Sequence, residues 1–157
     1  MTSEQARRFA EDVHAGALDR YGSPLLDHVR RVAADVSAPA RPVAWLHETL
    51  ECAGVTQDEL RARGVGDEDL IAIALLTNAP GCSTEEYLQH VARIAAAPGR
   101  AGTLARTVKH ADLHDRIRHQ DPPRAGAPAR PPYTRALALL REAASPRPGV
   151  RSSPASS

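Results

Sequence analysis

The spacing of apolar and polar residues along the chain predicts a succession of amphipathic helices. In the first of them, Ala6, Ala10 and Val13 recur at intervals of four and three residues, which places them on one side of a helix. Glycines and prolines between the periodic segments separate one helix from the next. The predicted helices cover residues 3–19, 24–36, 43–53, 56–64, 67–77 and 83–96, then from near 102 to about 119, and finally 133–144.

Local signals mark where several of these helices begin. Thr56 followed by Glu59, and Ser83 followed by Glu86, match the capping box, in which each side chain bonds the backbone of the other residue. Pro42 stands just before the helix predicted for residues 43–53, and proline is tolerated in a first helical turn but not in a helix interior. These boundaries therefore agree with the periodicity.

The composition agrees with an all-α fold. The chain is rich in Ala and Leu and has few of the aromatic residues that favour strands. Residues 121–132 lack periodicity and predict a loop, and residues 145–157 have too few apolar side chains to fold. We expect a single compact helical domain at residues 1–144, followed by a disordered tail at 145–157.

Composition and charge argue against two classes of partner. A net charge of +1 and an aromatic content of 3% supply neither the field nor the stacking side chains that nucleic-acid binding needs. The longest apolar run, around residues 70–76, is too short to span a bilayer, and the first residues lack the features of a signal peptide. Cys52 and Cys82 do not make a disulfide framework and suit a reducing compartment. We expect a cytoplasmic protein that binds neither nucleic acid nor membrane.

Adjacent His47 and Glu48, with Glu51 one helical turn further on, are the strongest candidates for chemistry. An imidazole and carboxylates this close together can hold a divalent cation and position the water that it activates. Neighbouring residues of a helix point about 100° apart, so both reach one ion only from the edge of its shell. Other helices must therefore supply further ligands.

His28 and Asp112 are the candidates for completing the shell. Together with His47 and Glu48 they offer two imidazoles and two carboxylates, and such a mixed nitrogen and oxygen site suits manganese, iron or zinc. Asp115, three residues after Asp112 on the same helix face, could hydrogen-bond a ligand from behind. 

The remaining histidines have simpler interpretations. His14 is predicted to support helix packing or to line a pocket, outside the metal shell. His90 and His119 are predicted to be surface residues.

Four motifs occur in a fixed order from about residue 6 to about residue 140. They are His14-Ala15-Gly16 with Gly22-Ser23-Pro24-Leu25-Leu26-Asp27-His28, Trp45-Leu46-His47-Glu48-Thr49-Leu50-Glu51, Leu75-Leu76-Thr77 with Glu86-Tyr87-Leu88, and Val108-Lys109-His110-Ala111-Asp112-Leu113. In this order they resemble the HD-domain phosphohydrolases, and among them the small hydrolases similar to the alarmone pyrophosphohydrolase domain of Rel/Spo proteins. The resemblance implies a helical HD-type domain that holds one divalent ion, with manganese first and iron or zinc as alternatives.

The resemblance also implies an activity and a substrate. The activity is metal-dependent hydrolysis of a phosphate or pyrophosphate ester of a nucleotide, similar to guanosine 3′,5′-bis(diphosphate) 3′-pyrophosphohydrolase. Glu51 would be the catalytic carboxylate that handles the attacking water. Arg20, Lys109 and Tyr133 would meet the phosphates and the base, and Lys109 is the only lysine in the chain.

Several residues depart from the family pattern. The histidine of the motif is followed by Glu48 instead of aspartate, and the second carboxylate of the water-activating pair is replaced by Cys52. Arg116 stands where the family usually has asparagine, and Asp19 stands where a basic residue is expected, with Arg20 beside it. These departures favour an alternative, a degenerate HD module that binds metal or nucleotide and regulates a partner without hydrolysis. A helical interaction domain without metal is a third hypothesis.

Overall fold

A computed structural model of the chain describes residues 1–19, 21–79, 81–119 and 130–144. Within these ranges the regular secondary structure is helical, which confirms the all-α prediction. The helices are α1 (Ser3–Val13), α2 (Leu25–Asp35), α3 (Arg41–Leu46), α4 (Thr49–Cys52), α5 (Gln57–Ala62), α6 (Asp67–Leu76), α7 (Thr84–Ala96), α8 (Gly99–Arg118) and α9 (Tyr133–Ala144), with a short 3-10 turn at Ala38–Ala40.

The longest helix, α8, forms the centre of the fold. It packs against α2, α3, α6, α7 and α9. Its buried apolar side chains, among them Ala105, Val108 and Leu113, share one core with Leu46 of α3 and Ile73 of α6. Because α8 is covered on several sides, some of its charged side chains are also buried. These are Lys109, Asp112 and Asp115.

The predicted capping boxes are confirmed. The Thr56 side chain accepts from the backbone N–H of Glu59, and the Glu59 carboxylate accepts from the backbone N–H of Thr56. Ser83 and Glu86 make the same reciprocal pair at the start of α7. These helix starts depend on residues three positions apart, which a sequence displays directly.

The first helix is shorter than predicted, because it ends at Val13 and not at residue 19. Gly16 adopts a φ of 72°, a left-handed conformation that ends the helical path. Beyond it Asp19 organises a loop, where its Oδ1 accepts from the backbone N–H groups of Tyr21 and Ser23 at 2.9 and 3.0 Å. The short polar side chain competes with helix formation in this way.

The predicted helix over residues 43–53 is also divided. The structure has α3 up to Leu46, a turn at His47 and Glu48, and a separate short α4. Two carbonyl groups of this region accept bonds from side chains, Ala44 from His47 Nδ1 and Leu46 from Thr49 Oγ1. Such local bonds compete with the backbone pattern of a continuous helix.

In the part of the chain that the structure describes, no helix combines the length and the apolar character needed to cross a membrane. The predicted tail at 145–157 lies outside the described residues, as does most of the predicted loop at 121–132.

Candidate metal centre

Four side chains predicted as ligands come together between three parts of the fold. His28 is on α2, His47 and Glu48 form the turn between α3 and α4, and Asp112 is on α8. Each offers one nitrogen or oxygen atom, and these atoms all lie within 4.8 Å of one another. All four residues are buried. This group could hold a metal ion.

The separations between the donor atoms suit a single ion. His28 Nε2 lies 3.2 Å from Asp112 Oδ1 and 3.3 Å from His47 Nε2. Glu48 Oε1 lies 3.5 Å from His47 Nε2 and 3.6 Å from His28 Nε2. Atoms bound about 2.0–2.2 Å from an ion, at angles between octahedral and tetrahedral, lie about 2.8–3.6 Å apart. The cluster is therefore close to the size of a coordination shell.

The Nδ1 atom of each imidazole, on the side of the ring away from the cluster, is also in contact with an oxygen atom. His28 Nδ1 lies 2.7 Å from Asp115 Oδ2, so the predicted contact between Asp115 and one of the four clustered residues is present. His47 Nδ1 lies 2.6 Å from the Ala44 carbonyl oxygen. Such contacts fix the orientation of a ligand ring and the position of its proton.

The carboxylates have their second oxygen atoms occupied in the same manner. Lys109 Nζ donates to Asp112 Oδ2 at 2.8 Å, and the Cys52 thiol donates to Glu48 Oε2 at 3.4 Å. Only Glu48 Oε1 and Asp112 Oδ1 therefore face the imidazoles.

The contacts of the two Nδ1 atoms decide which nitrogen of each imidazole faces the cluster. A carbonyl oxygen only accepts, so His47 Nδ1 carries the proton that it shares with Ala44. His28 Nδ1 likewise donates to the carboxylate of Asp115. The two Nε2 atoms, 3.3 Å apart, would then present lone pairs to each other. A bound cation, or an added proton, removes this repulsion.

Charge in the cluster is strongly coupled. Burial lowers the pKa of His28, but hydrogen bonds to Asp112, Asp115 and Glu48 outweigh it and raise the pKa to about 10. Burial opposes ionisation of Glu48, yet the histidines His28 and His47 and nearby Arg116 hold its pKa well below the usual value. Without a metal ion, the site therefore holds a proton on His28 between ionised carboxylates.

Arg116 enters the same cluster, which the sequence analysis did not foresee. Its guanidinium lies 3.2 Å from Asp19 Oδ2, 3.0 Å from Glu48 Oε1 and 3.5 Å from Asp112 Oδ1. Both Asp19 and Arg116 had appeared in the sequence as separate departures from the family pattern. Their opposite charges were the signal that the two residues form a pair.

A cavity of about 550 Å³ opens beside the four clustered residues. Of the residues predicted for catalysis and substrate binding, Glu51, Lys109 and Tyr133 line it, whereas Arg20 lies outside the described residues. Glu51 accepts from the backbone N–H of Asn78 at 3.3 Å. Glu51 thus shares this cavity with three of the four clustered residues, His47, Glu48 and Asp112, whereas His28 lines a neighbouring cavity.

The other walls of this cavity combine aromatic rings with basic groups. Tyr87 and Tyr133 pack edge to face, with ring centroids 6.2 Å apart. The Arg130 guanidinium lies 4.8 Å from the ring centre of Tyr21, and Lys109 Nζ lies 5.3 Å from that of Tyr87. Lys109 therefore both holds Asp112 and reaches the cavity wall.

Cys52 lines the cavity beside Glu51, at the position where the resemblance to the HD hydrolases predicts a carboxylate. Partial burial and the nearby carboxylate of Glu48 raise the pKa of its thiol to about 12. The thiol is neutral near pH 7 and does not accept a proton from water there. Of the adjacent residues Glu51 and Cys52, only Glu51 brings a carboxylate to the cavity.

Two of the remaining histidines are buried. His14 is fully buried, as expected for a packing residue, and neither ring nitrogen has a hydrogen-bond partner among the described residues. His90 is buried on α7, so its interpretation as a surface residue was wrong, and burial lowers its pKa to about 4. His90 lies on the buried face of α7 with Tyr87, Val91 and Ile94, at a helical spacing that the sequence displays.

Comparison with known proteins gives no match, either among protein-family models or among curated proteins. The chemistry of the cluster and its cavity is therefore the basis for assigning a function.

Proposed function

We propose that this protein is a metal-dependent phosphohydrolase of the HD type, acting on a phosphate or pyrophosphate ester of a nucleotide. The observation that carries the proposal is the arrangement of the four donors. Each has one atom directed to a common point, and each has its other atom held by a separate partner. Side chains that merely neutralised one another would not need this arrangement.

In this proposal His28, His47, Glu48 and Asp112 hold the ion. A divalent ion there supplies Lewis-acid activation of water near neutral pH. Mixed imidazole and carboxylate donors suit manganese, iron(II) or zinc, and the resemblance to the HD hydrolases puts manganese first. Manganese is therefore the first ion to test.

The chain's own residues would then handle the water and the substrate. The Glu51 carboxylate orients the water or accepts its proton, since the neighbouring Cys52 thiol is neutral. Lys109 reaches the cavity as a buried cation suited to a phosphate oxygen. Tyr133 and Tyr21 supply aromatic walls for a base.

Guanosine 3′,5′-bis(diphosphate) is the substrate to test first, since the motifs of the chain resemble those of alarmone hydrolases. We expect release of pyrophosphate from this nucleotide in the presence of manganese. Glu51→Gln should reduce turnover by about 10²- to 10⁴-fold, the range typical of general acid-base catalysis, with metal content unchanged. The matched control is Glu85→Gln, which makes the same change on an exposed residue of α7. Equal turnover in the wild type and Glu51→Gln would refute this role for Glu51.

A second function is favoured by specific observations. The neutral thiol of Cys52 and the ion pairs of Arg116 with Glu48 and Asp112 suit a module that binds metal or nucleotide without hydrolysing it. A wild-type protein that binds manganese and guanosine nucleotides, yet releases no pyrophosphate, would establish this regulatory alternative. A wild-type protein without bound metal would exclude the hydrolase, and one that also failed to bind guanosine nucleotides would exclude both functions.

A further inference from the structure

Arg116 is the most heavily engaged cation of the protein's interior cluster. Its guanidinium contacts three carboxylates from three different parts of the fold: Asp19 from the loop after α1, Glu48 from the turn after α3, and Asp112 from α8. The Arg116 side chain is 18% exposed. Arg116 is therefore partly buried, and its guanidinium is held by carboxylates from three elements.

The oxygen atoms that Arg116 contacts are the ones that face the imidazoles. Nη2 lies 3.0 Å from Glu48 Oε1, and Nε lies 3.5 Å from Asp112 Oδ1. The same two oxygens lie 3.6 and 3.2 Å from His28 Nε2. A divalent ion at the cluster and the guanidinium would therefore compete for the same pair of atoms.

Lys109 offers a contrast within the same helix. Its ammonium contacts Asp112 Oδ2, the oxygen directed away from His28. Lys109 can keep this bond while Asp112 Oδ1 binds an ion. Competition with a metal is therefore a property of Arg116 and not of every cation beside the site.

Asp19 can hold the Arg116 guanidinium when it no longer contacts Glu48 and Asp112. Its Oδ1 is fixed by the backbone N–H groups of Tyr21 and Ser23, while its Oδ2 pairs with Arg116. Both Asp19 and Arg116 line the cavity. A guanidinium displaced from Glu48 and Asp112 thus remains tethered at the cavity wall, where its planar fork matches a phosphate group.

We propose that Arg116 is an exchangeable cation, which neutralises Glu48 and Asp112 when no metal ion is bound and binds a phosphate group of the substrate when one is. The second half of this inference rests on the proposed function. The first half concerns only the metal and the chain.

Manganese titration tests the first half. Removing the competing charge in Arg116→Gln should tighten manganese binding by about tenfold, because a charge-assisted contact to each carboxylate no longer has to be broken. Arg135→Gln, the same change on an exposed residue of α9, should leave the affinity unchanged. Lys109→Gln should not tighten binding. Equal or weaker manganese binding in Arg116→Gln than in the wild type overturns the competition.

Folding of the variants is measured alongside. Arg116→Gln removes a positive charge that neutralises three carboxylates, so the melting temperature of the metal-free variant should be lower than that of the wild type. Addition of manganese should raise the melting temperature of the variant more than that of the wild type. Arg116→Lys keeps the charge but lacks the fork that reaches Glu48 and Asp112 together. Its manganese affinity should lie between those of the wild type and Arg116→Gln, and wild-type affinity in a folded Arg116→Lys would contradict the proposed bridge.

Inorganic phosphate tests the second half. At saturating manganese, Arg116→Gln should bind phosphate about tenfold more weakly than the wild type, and Asp19→Asn should weaken it through loss of the tether. Unchanged phosphate affinity in both variants overturns the phosphate role. Neither titration needs turnover, so a protein that passes both and hydrolyses no nucleotide would refute the proposed hydrolysis alone. Metal binding by Arg116→Gln but not by the wild type would show a permanent replacement of the ion by arginine, which overturns both proposals.

Discussion

Replacing Asp115 with alanine should weaken metal binding although Asp115 is not one of the four donors. Its buried carboxylate accepts from His28 Nδ1 at 2.7 Å and from Arg31 Nε at 2.6 Å. Without this acceptor, the His28 ring is no longer fixed with Nε2 toward His47 and Asp112. The change therefore acts on the metal through the orientation and the basicity of one ligand.

The size of the effect follows from the type of contact. A hydrogen bond to a charged group is worth about 1.5–3 kcal/mol, which is about a 10- to 100-fold change in affinity. Removing a residue that hydrogen-bonds a metal ligand weakens metal binding by a similar factor. Hydrogen bonds to Asp112 and Asp115 raise the pKa of His28 to about 10, so losing Asp115 also lowers that pKa and weakens proton competition. The defect should consequently be largest at high pH and smaller near neutrality.

Calorimetric titration with manganese at about pH 6.5 and about pH 8.5 measures both effects. Asp115→Asn retains a side-chain oxygen that can accept from His28 Nδ1, and it should lose less affinity than Asp115→Ala. The exposed Asp58, which pairs with Arg61, provides the matched control as Asp58→Ala. Wild-type affinity in a folded Asp115→Ala at the higher pH would refute the reasoning.

Three further outcomes are expected. His47→Ala should abolish binding of the single cation, and elemental analysis that finds unchanged metal content would remove His47 from the shell. Without metal, the free energy of unfolding should fall as pH rises from about 6.5 toward about 10. The reason is that the pKa of His28 is raised to about 10 in the folded state, so its protonation stabilises the fold and this stabilisation is lost as the proton leaves. Urea unfolding measured at several pH values would contradict this if the free energy stayed constant or rose. Cys52→Asp should raise turnover of guanosine 3′,5′-bis(diphosphate) by up to about 10²-fold if the missing carboxylate limits proton transfer. Pyrophosphate release that stays at the wild-type level, with metal still bound, would show that Cys52 does not limit the rate.

Sequence reasoning succeeded where the determining interactions are short in range. The capping boxes at Thr56 and Ser83, and the helix predicted for residues 133–144, depend on residues a few positions apart. The same holds for Asp115, since one helical turn separates it from Asp112. Periodicity and spacing carry this information without knowledge of the fold.

It failed where side chains compete with the backbone. Nothing in the apolar spacing of residues 43–53 reveals that His47 and Thr49 bond carbonyls of the preceding turn, so a continuous helix was predicted. The extra helical turns predicted after Val13 were wrong for the same reason, because Asp19 organises a loop through its own side chain.

The pairing of Asp19 with Arg116 depends on a different kind of information. The two residues are 97 positions apart in the sequence. Each was visible as an unusual residue, but their proximity arises only when the loop after α1 packs beside α8. To predict a long-range ion pair of this kind, one needs either the fold or a search for two unusual residues of opposite charge.

The division between α3 and α4 also bears on how this donor pair could be moved to another protein. In an uninterrupted helix, consecutive residues diverge by about 100°, and their side chains leave the axis in different directions. Here the turn at His47 and Glu48 lets both reach one point, with the Ala44 carbonyl fixing the ring of His47. If the two residues alone were grafted onto a straight helix, their side chains would no longer reach a common point. The unit to transplant is the interrupted segment from Ala44 to Cys52, including Thr49, whose hydroxyl bonds the last carbonyl of α3.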